Sequence, residues 1–174
     1  MDAISMPASS SVSDRIRCGL LALAIIAASG PAFADTQETR ARWHFVLPTL
    51  DGDHFVRSSQ MTGPTLVNFW SRDCMPCIRE LPRLIAFAHA NPGWEVVLVA
   101  TDAPQDAQAF LKRRNITLTT LRSGANVAGL MRSAGNRSGG LPFSVAMHRE
   151  TICDTHLGEL DDAQLHLWQT TACR

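Results

Sequence analysis

The sequence predicts an α/β fold in which helices cover a central mixed β-sheet. Three observations carry that expectation. Strand-like and helix-like segments alternate from residue 64 to residue 134. A late β-hairpin follows, with one more helix behind it. Between the first interior strand and the first helix stand two cysteines, in Cys74-Met75-Pro76-Cys77.

Each element has a local reason. Residues 43–48 and 54–57 are short extended runs on either side of Asp51-Gly52, a turn signal, and form an N-terminal β-hairpin. Pro64-Thr65-Leu66-Val67-Asn68-Phe69-Trp70 is apolar, β-branched and aromatic, so residues 65–70 make an interior strand. Over residues 78–90 the apolar positions Leu81, Leu84, Ile85 and Ala88 recur at helical spacing. Residues 94–100 are a second interior strand. Residues 104–115 are a helix, with Pro104 in its first turn and Thr101 or Asp102 near its cap. Residues 116–121 alternate as a short strand, and residues 126–134 are a further helix. Residues 143–147 and 152–157 pair as the closing hairpin, and residues 161–173 are the last helix.

Residues 1–34 read as an export signal, separate from the fold. Arg15 and Arg17 are its basic start, residues 20–28 its apolar core, and Ala32-Phe33-Ala34 its small-residue cleavage site. The apolar run falls short of the roughly 20 residues that span a bilayer, which leaves an uncleaved membrane anchor as the alternative. Cys18 precedes that run, an arrangement that argues against a lipoprotein. Residues 35–42 are a polar, mobile lead-in, and residues 43–174 are one domain with room for a sizeable core. Asp2, Asp14, Arg15 and Arg17 all lie in the signal, so the remaining charge balances. That balance argues against nucleic acid as a partner, and no cationic amphipathic helix points to a membrane surface.

Two thiols at a helix N-terminus meet unpaired backbone N–H groups and the positive end of the helix dipole. That setting lowers the pKa of Cys74 and prepares its thiolate to attack a disulfide. Cys77, within one helical turn, can curl back to resolve the mixed disulfide. Zinc is a competing use of a CxxC, but the chain has no second CxxC and no HxxxH to complete a site. A merely structural pair fits Pro76 and the strand context less well. The six histidines, at 44, 54, 89, 148, 156 and 166, share no ligand spacing, so neither a metal nor a cofactor is expected.

Val67-Asn68-Phe69-Trp70, the Cys74-Met75-Pro76-Cys77 motif, Pro82 and Gly140-Leu141-Pro142 together resemble thioredoxin-fold oxidoreductases of the exported TlpA/ResA type. The resemblance covers roughly residues 43–171, including the N-terminal hairpin and an extra strand–helix insert before the last hairpin. It implies a thioredoxin-like fold and a periplasmic thiol:disulfide oxidoreductase that reduces disulfides of exported proteins, with cytochrome c maturation as one setting. It further implies a monomer whose thiols are restored by a membrane reductase of the DsbD kind.

The resemblance also distributes roles. Cys74 would be the nucleophile and Cys77 the resolving thiol. Pro142 would be the cis-proline facing the dithiol, with Leu141 offering its backbone to a client, and Trp70, Met75 and Pro76 completing the client-binding surface. A glutamate at the position of Glu80 assists proton transfer at the second cysteine; the alternative is a solvated residue paired with Arg83. Asn68 stands where thioredoxin itself buries an aspartate, and an amide cannot act as a base. Proton handling would then fall to Glu80, water or solvent. Asp73 departs from the family, which usually has Trp there. A carboxylate beside Cys74 would raise its pKa, and Arg72 could offset it. Pro82 would kink the helix.

Cys153 and Cys173 remain, and in an oxidising compartment such cysteines usually pair. A strand leaving Cys153 travels roughly 16 Å and the last helix returns about 18 Å. A Cys153–Cys173 staple from helix to sheet is therefore favoured over a second redox pair, which has no motif. Two rival functions stay open. A peroxiredoxin wants a proline four residues before Ser/Thr-x-x-Cys; Ser71-Arg72-Asp73-Cys74 supplies the second half, but position 67 is valine. A copper carrier could use Cys74, Cys77 and Met75 as soft ligands for Cu(I), although such carriers generally use CxxxC with a distant histidine.

Overall fold

The structure, a computed structural model, describes residues 41–173. The export signal expected at residues 1–34, and residues 35–40 of the lead-in, lie outside the described residues. The chain runs β1 (Val46–Pro48), β2 (Phe55–Arg57), a 3₁₀ turn (Ser58–Gln60), β3 (Pro64–Trp70), α1 (Met75–Ala90), β4 (Glu95–Ala100) and α2 (Pro104–Arg113). It continues through β5 (Thr119–Arg122), α3 (Val127–Ser133), β6 (Phe143–His148), β7 (Thr151–Leu157) and α4 (Asp162–Thr171).

β1 and β2 pair antiparallel as a two-stranded sheet of their own. The other five strands form one sheet in the order β5-β4-β3-β6-β7. β3, β4 and β5 are parallel, whereas β6 and β7 run antiparallel to their neighbours, so the sheet is mixed. β3 lies at the centre with both faces covered, which is why its sequence is a continuous apolar run.

The strand period of two divides that run between two cores. Leu66 and Trp70 face a cluster built with Cys77, Leu81, Leu84, Phe110, Leu165 and Trp168, from α1, α2 and α4. Val67 and Phe69 face the opposite cluster, with Trp43, Phe45, Met61, Met131 and Phe143. Asn68 shares the α1 face with Leu66 and Trp70. The one polar side chain of β3 on that face is thereby aimed under the helix that carries the cysteines.

Several details differ from the sequence expectation. Residues 41–42, expected in a mobile lead-in, are pinned: the Ala41 carbonyl accepts from Ile152 N at 2.9 Å, and Arg42 bridges to Thr151. β7 is an edge strand, and its free backbone groups take up the incoming chain. β5 spans Thr119–Arg122 instead of starting at 116, because Ile116 and Leu118 pack into the helix-covered core from a loop. Asn115, at φ 53°, turns the chain out of α2 before that loop. Neither Thr101 nor Asp102 caps α2; the N-cap is Ala103, without a side-chain bond. Thr101 Oγ1 instead donates to the Trp70 carbonyl at 3.2 Å. α1 runs on through Pro82 as one helix.

α4 is fixed to β7 twice. The fully buried Trp168 donates from Nε1 to Asp154 Oδ2 at 2.7 Å. Cys153 and Cys173 are joined as a disulfide, their Cα atoms 5.1 Å apart. The bond closes a loop of 20 residues, for which loss of chain entropy in the unfolded state is worth about 3 kcal/mol. Cys153→Ala/Cys173→Ala is therefore expected to unfold roughly 10 °C lower in a calorimetric scan, with disulfide exchange at Cys74 retained at temperatures where the variant is folded.

Candidate functional site

The two cysteines of the CxxC motif sit at the point where β3 leaves the sheet. Cys74 is the N-cap of α1, with extended backbone at φ −93° and ψ 100°. Its Sγ accepts from the Cys77 backbone N–H at 3.2 Å, taking the role that a serine or aspartate oxygen commonly plays at a helix start. Cys74 and Cys77 are joined as a disulfide, with Cα atoms 5.2 Å apart. Cys77 has no exposed surface, whereas Cys74 is only partly buried. Of the two residues, Cys74 is the more exposed.

Asp102 holds the loop before Cys74. Its carboxylate accepts from Ser71 Oγ at 2.8 Å and from the Arg72 backbone N–H at 2.7 Å. The Arg72 side chain pairs with Asp106 at 3.0 Å and lies 3.7 Å from Asp73. Asp73 points to solvent, its side chain 82% exposed, where water screens its effect on the neighbouring sulfur. The sequence offers Asp102, with Thr101, only as a helix-cap candidate and carries no local signal of this loop-anchoring role. Parallel pairing of β3 with β4 sets Trp70 beside Ala100, so the residues just beyond each strand end also meet.

The Leu141–Pro142 peptide bond is cis. Pro142 is buried, and Leu141 is partly buried against the cluster that includes Cys74 and Cys77. Asn136, 3% exposed, organises the approach to this loop. Its Nδ2 donates to the Gly140 carbonyl at 2.9 Å, and its Oδ1 accepts from Gly139 N at 2.9 Å and Ser138 Oγ at 3.1 Å. Gly139 has φ 71°, a conformation that suits glycine. Asn136 also escaped the sequence reading; a loop Asn before Gly-Gly was the available signal.

Met75 is 62% exposed and Pro76 partly exposed, both at the first turn of α1. Trp70, expected among the client contacts, is corrected by the structure. It has no exposed surface and packs its ring 5.4 Å from that of Phe110. Its alternation with Leu66 turns it inward, so it backs the site from within the core.

Glu80 lies three residues beyond Cys77 on α1 and, like Cys77, has no exposed surface. Its carboxylate accepts from Asn68 Nδ2 at 2.7 Å and from the Leu160 backbone N–H at 2.8 Å. Arg83 does not pair with it; Arg83 and Arg79 both bind Glu159, each at 2.9 Å. The solvated, Arg83-paired alternative is thereby overturned. Burial pushes the Glu80 carboxyl up from 4.5 to about 7, offset in part by the bonds from Leu160 and Asn68. A buried acid that titrates near neutrality, one turn from the second thiol, suits proton transfer. Among the described residues no three His, Cys, Asp or Glu side chains cluster as metal ligands.

The sequence matches the AhpC/TSA family over residues 40–137. It is 27% identical over 94 residues to sporulation thiol-disulfide oxidoreductase A of Bacillus subtilis (strain 168), covering 51% of this chain and 56% of that protein. The chain thus aligns with little more than half the length of that relative. The structure resembles the crystal structure of StoA from Bacillus subtilis with a TM-score of 0.60 at 23% identity, over 75% of this chain and 98% of that one. It likewise resembles a thiol:disulfide interchange protein from Bacteroides sp., with a TM-score of 0.64 at 19% identity over 76% and 89% of the two chains. These likenesses show that the thioredoxin fold expected from the sequence is the fold of this chain, and the chain belongs to the AhpC/TSA family.

Proposed function

We propose that this protein is a thiol:disulfide oxidoreductase that reduces disulfides of exported client proteins through Cys74 and Cys77. The observation that carries the reading is Cys74 at the N-cap of α1, a partly exposed residue whose sulfur accepts from the Cys77 N–H. In the reduced protein that N–H and the helix dipole favour the thiolate. The Cys74 thiolate attacks a client disulfide, forms a mixed disulfide and expels one client thiolate, which takes up a proton. Cys77 then gives its proton to Glu80 and attacks the Cys74 sulfur. A second client thiolate leaves and is protonated in turn. The client gains two electrons and two protons, and Cys74–Cys77 closes as a disulfide.

Met75 and Pro76 are the apolar side chains offered to the client, and Leu141 offers its backbone, with Pro142 shaping the loop that carries it. Cys153–Cys173 serves as a staple outside this cycle. Residues 1–34 direct export to the periplasm and residues 35–42 lead into the domain, with retention as a membrane anchor the alternative. Among the described residues no helix is long and apolar enough to cross a membrane. A membrane reductase of the DsbD kind would return the electrons to a monomer, and cytochrome c maturation is a setting that consumes them. One comparison tests the reading: insulin reduction with dithiothreitol, peroxide consumption and Cu(I) titration, all on the same preparation. Turnover is expected with insulin alone. Peroxide turnover without insulin reduction, or tight stoichiometric copper binding in place of either, would overturn it.

A further inference from the structure

Asn68 is fully buried, with one end of its amide engaged twice and the other not at all. Its Nδ2 donates to Glu80 Oε1 at 2.7 Å and to Ser144 Oγ at 2.9 Å, while Oδ1 has no hydrogen-bond partner among the described residues. A bare amide oxygen in a core is costly, so the arrangement calls for a reason.

The donors around Glu80 supply one. Oε2 faces the Leu160 backbone N–H, which can only donate, whereas Oε1 faces an amide that can turn its acceptor towards it, so Oε1 is the oxygen on which a proton finds a partner. There it would point at Asn68 Nδ2, also a donor. A half turn of the amide about Cβ–Cγ exchanges Oδ1 and Nδ2 and sets an acceptor opposite the new O–H. The Ser144 hydroxyl, donor and acceptor both, rotates to donate to the same oxygen. Either orientation serves the same two neighbours, and either leaves one amide atom bare on the far side. In the present orientation the bare atom is the carbonyl oxygen; after the half turn it is the amide nitrogen.

We propose that Asn68, backed by Ser144, is the positioning residue for the Glu80 proton, a two-orientation amide that donates to the carboxylate and accepts from the acid. The proposal deepens the reading above, because it rests on Glu80 being the group that takes the Cys77 proton. The charged side chains that act on the Glu80 carboxyl are Glu159, which raises its pKa, and Arg83 on α1, which lowers it. Arg79 and Arg83 are held by Glu159, with Asp162 at 3.8 Å from Arg83. β3 and β6 contribute only Asn68 and Ser144 as hydrogen-bonding side chains to this network.

The test is nuclear magnetic resonance on the oxidised full chain at pH values on either side of the Glu80 midpoint. Above it, the Asn68 side-chain protons should show a strong Overhauser contact to the Ser144 β protons; below it, that contact should weaken several-fold. An equal contact on both sides overturns the proposal. Asn68→Leu, of similar size, removes the partner of both forms and should raise the Glu80 carboxyl midpoint by about one pH unit, because the bond to the charged carboxylate is the stronger of the two. An unmoved midpoint in a folded Asn68→Leu protein would also overturn it. Neither measurement requires turnover, so their failure would leave disulfide exchange standing, and failed insulin reduction would leave the switch measurable.

Discussion

Cys74→Ser abolishes insulin-disulfide reduction, with an expected loss of at least ~10³-fold, because a serine hydroxyl is almost never ionised near neutral pH. Cys77→Ser stops the same cycle one step later. Its Cys74 still attacks, and the mixed disulfide with the client then accumulates for want of a resolving thiol. The difference follows from position, since Cys77 has no exposed surface and Cys74 is partly exposed. Intact mass under non-reducing conditions checks the order of attack: a client adduct on Cys77→Ser and none on Cys74→Ser. An adduct on Cys74→Ser would reverse the assignment of nucleophile and resolving thiol.

The parts of the site written in contiguous sequence were legible. Pro64 to Trp70, the CxxC and the amphipathic run after it follow one another along the chain, so periodicity alone set the cysteines at the head of α1. The misreadings concern residues whose partners lie far along the chain. Pro104 close behind points to Thr101 or Asp102 as a cap, but the Asp102 carboxylate is engaged 31 and 30 residues upstream, by Ser71 and Arg72. Ser144 drew no notice because its meeting with Asn68 depends on antiparallel register between β6 and β3. Trp70 packs in the core, as expected of the tryptophans, and the alternation of Leu66, Asn68 and Trp70, which puts it on the helix-covered face, excludes the client contact also expected of it. Sequence alone leaves two roles open for Glu80 because nothing near it along the chain reveals Leu160 N, which closes its cage from 80 residues away.

That cage makes the stability of the protein depend on pH in a definite direction. Unfolded, Glu80 titrates near its ordinary value of 4.5; folded, burial holds the proton to about 7. Between those values the folded state binds more protons than the unfolded state, so stability falls as pH rises. A difference of that size corresponds to about 3 kcal/mol, fully lost by roughly pH 8. Urea denaturation at pH 5 and pH 8 should show it. Glu80→Gln, neutral throughout, should remove that part of the slope and make the variant the more stable protein at pH 8. Glu95 is also raised by burial and adds a slope of the same sign, which is why the wild-type curve must be read against the variant. Glu150 and Glu159 run the other way. Hydrogen bonds from His44 and Arg83 lower them, so their contributions are present above the ordinary carboxylate range and lost in acid below it. Equal slopes for wild type and Glu80→Gln between pH 5 and pH 8 would show that Glu80 is ionised throughout. The buried carboxyl would then have no proton to exchange with Cys77 at neutral pH.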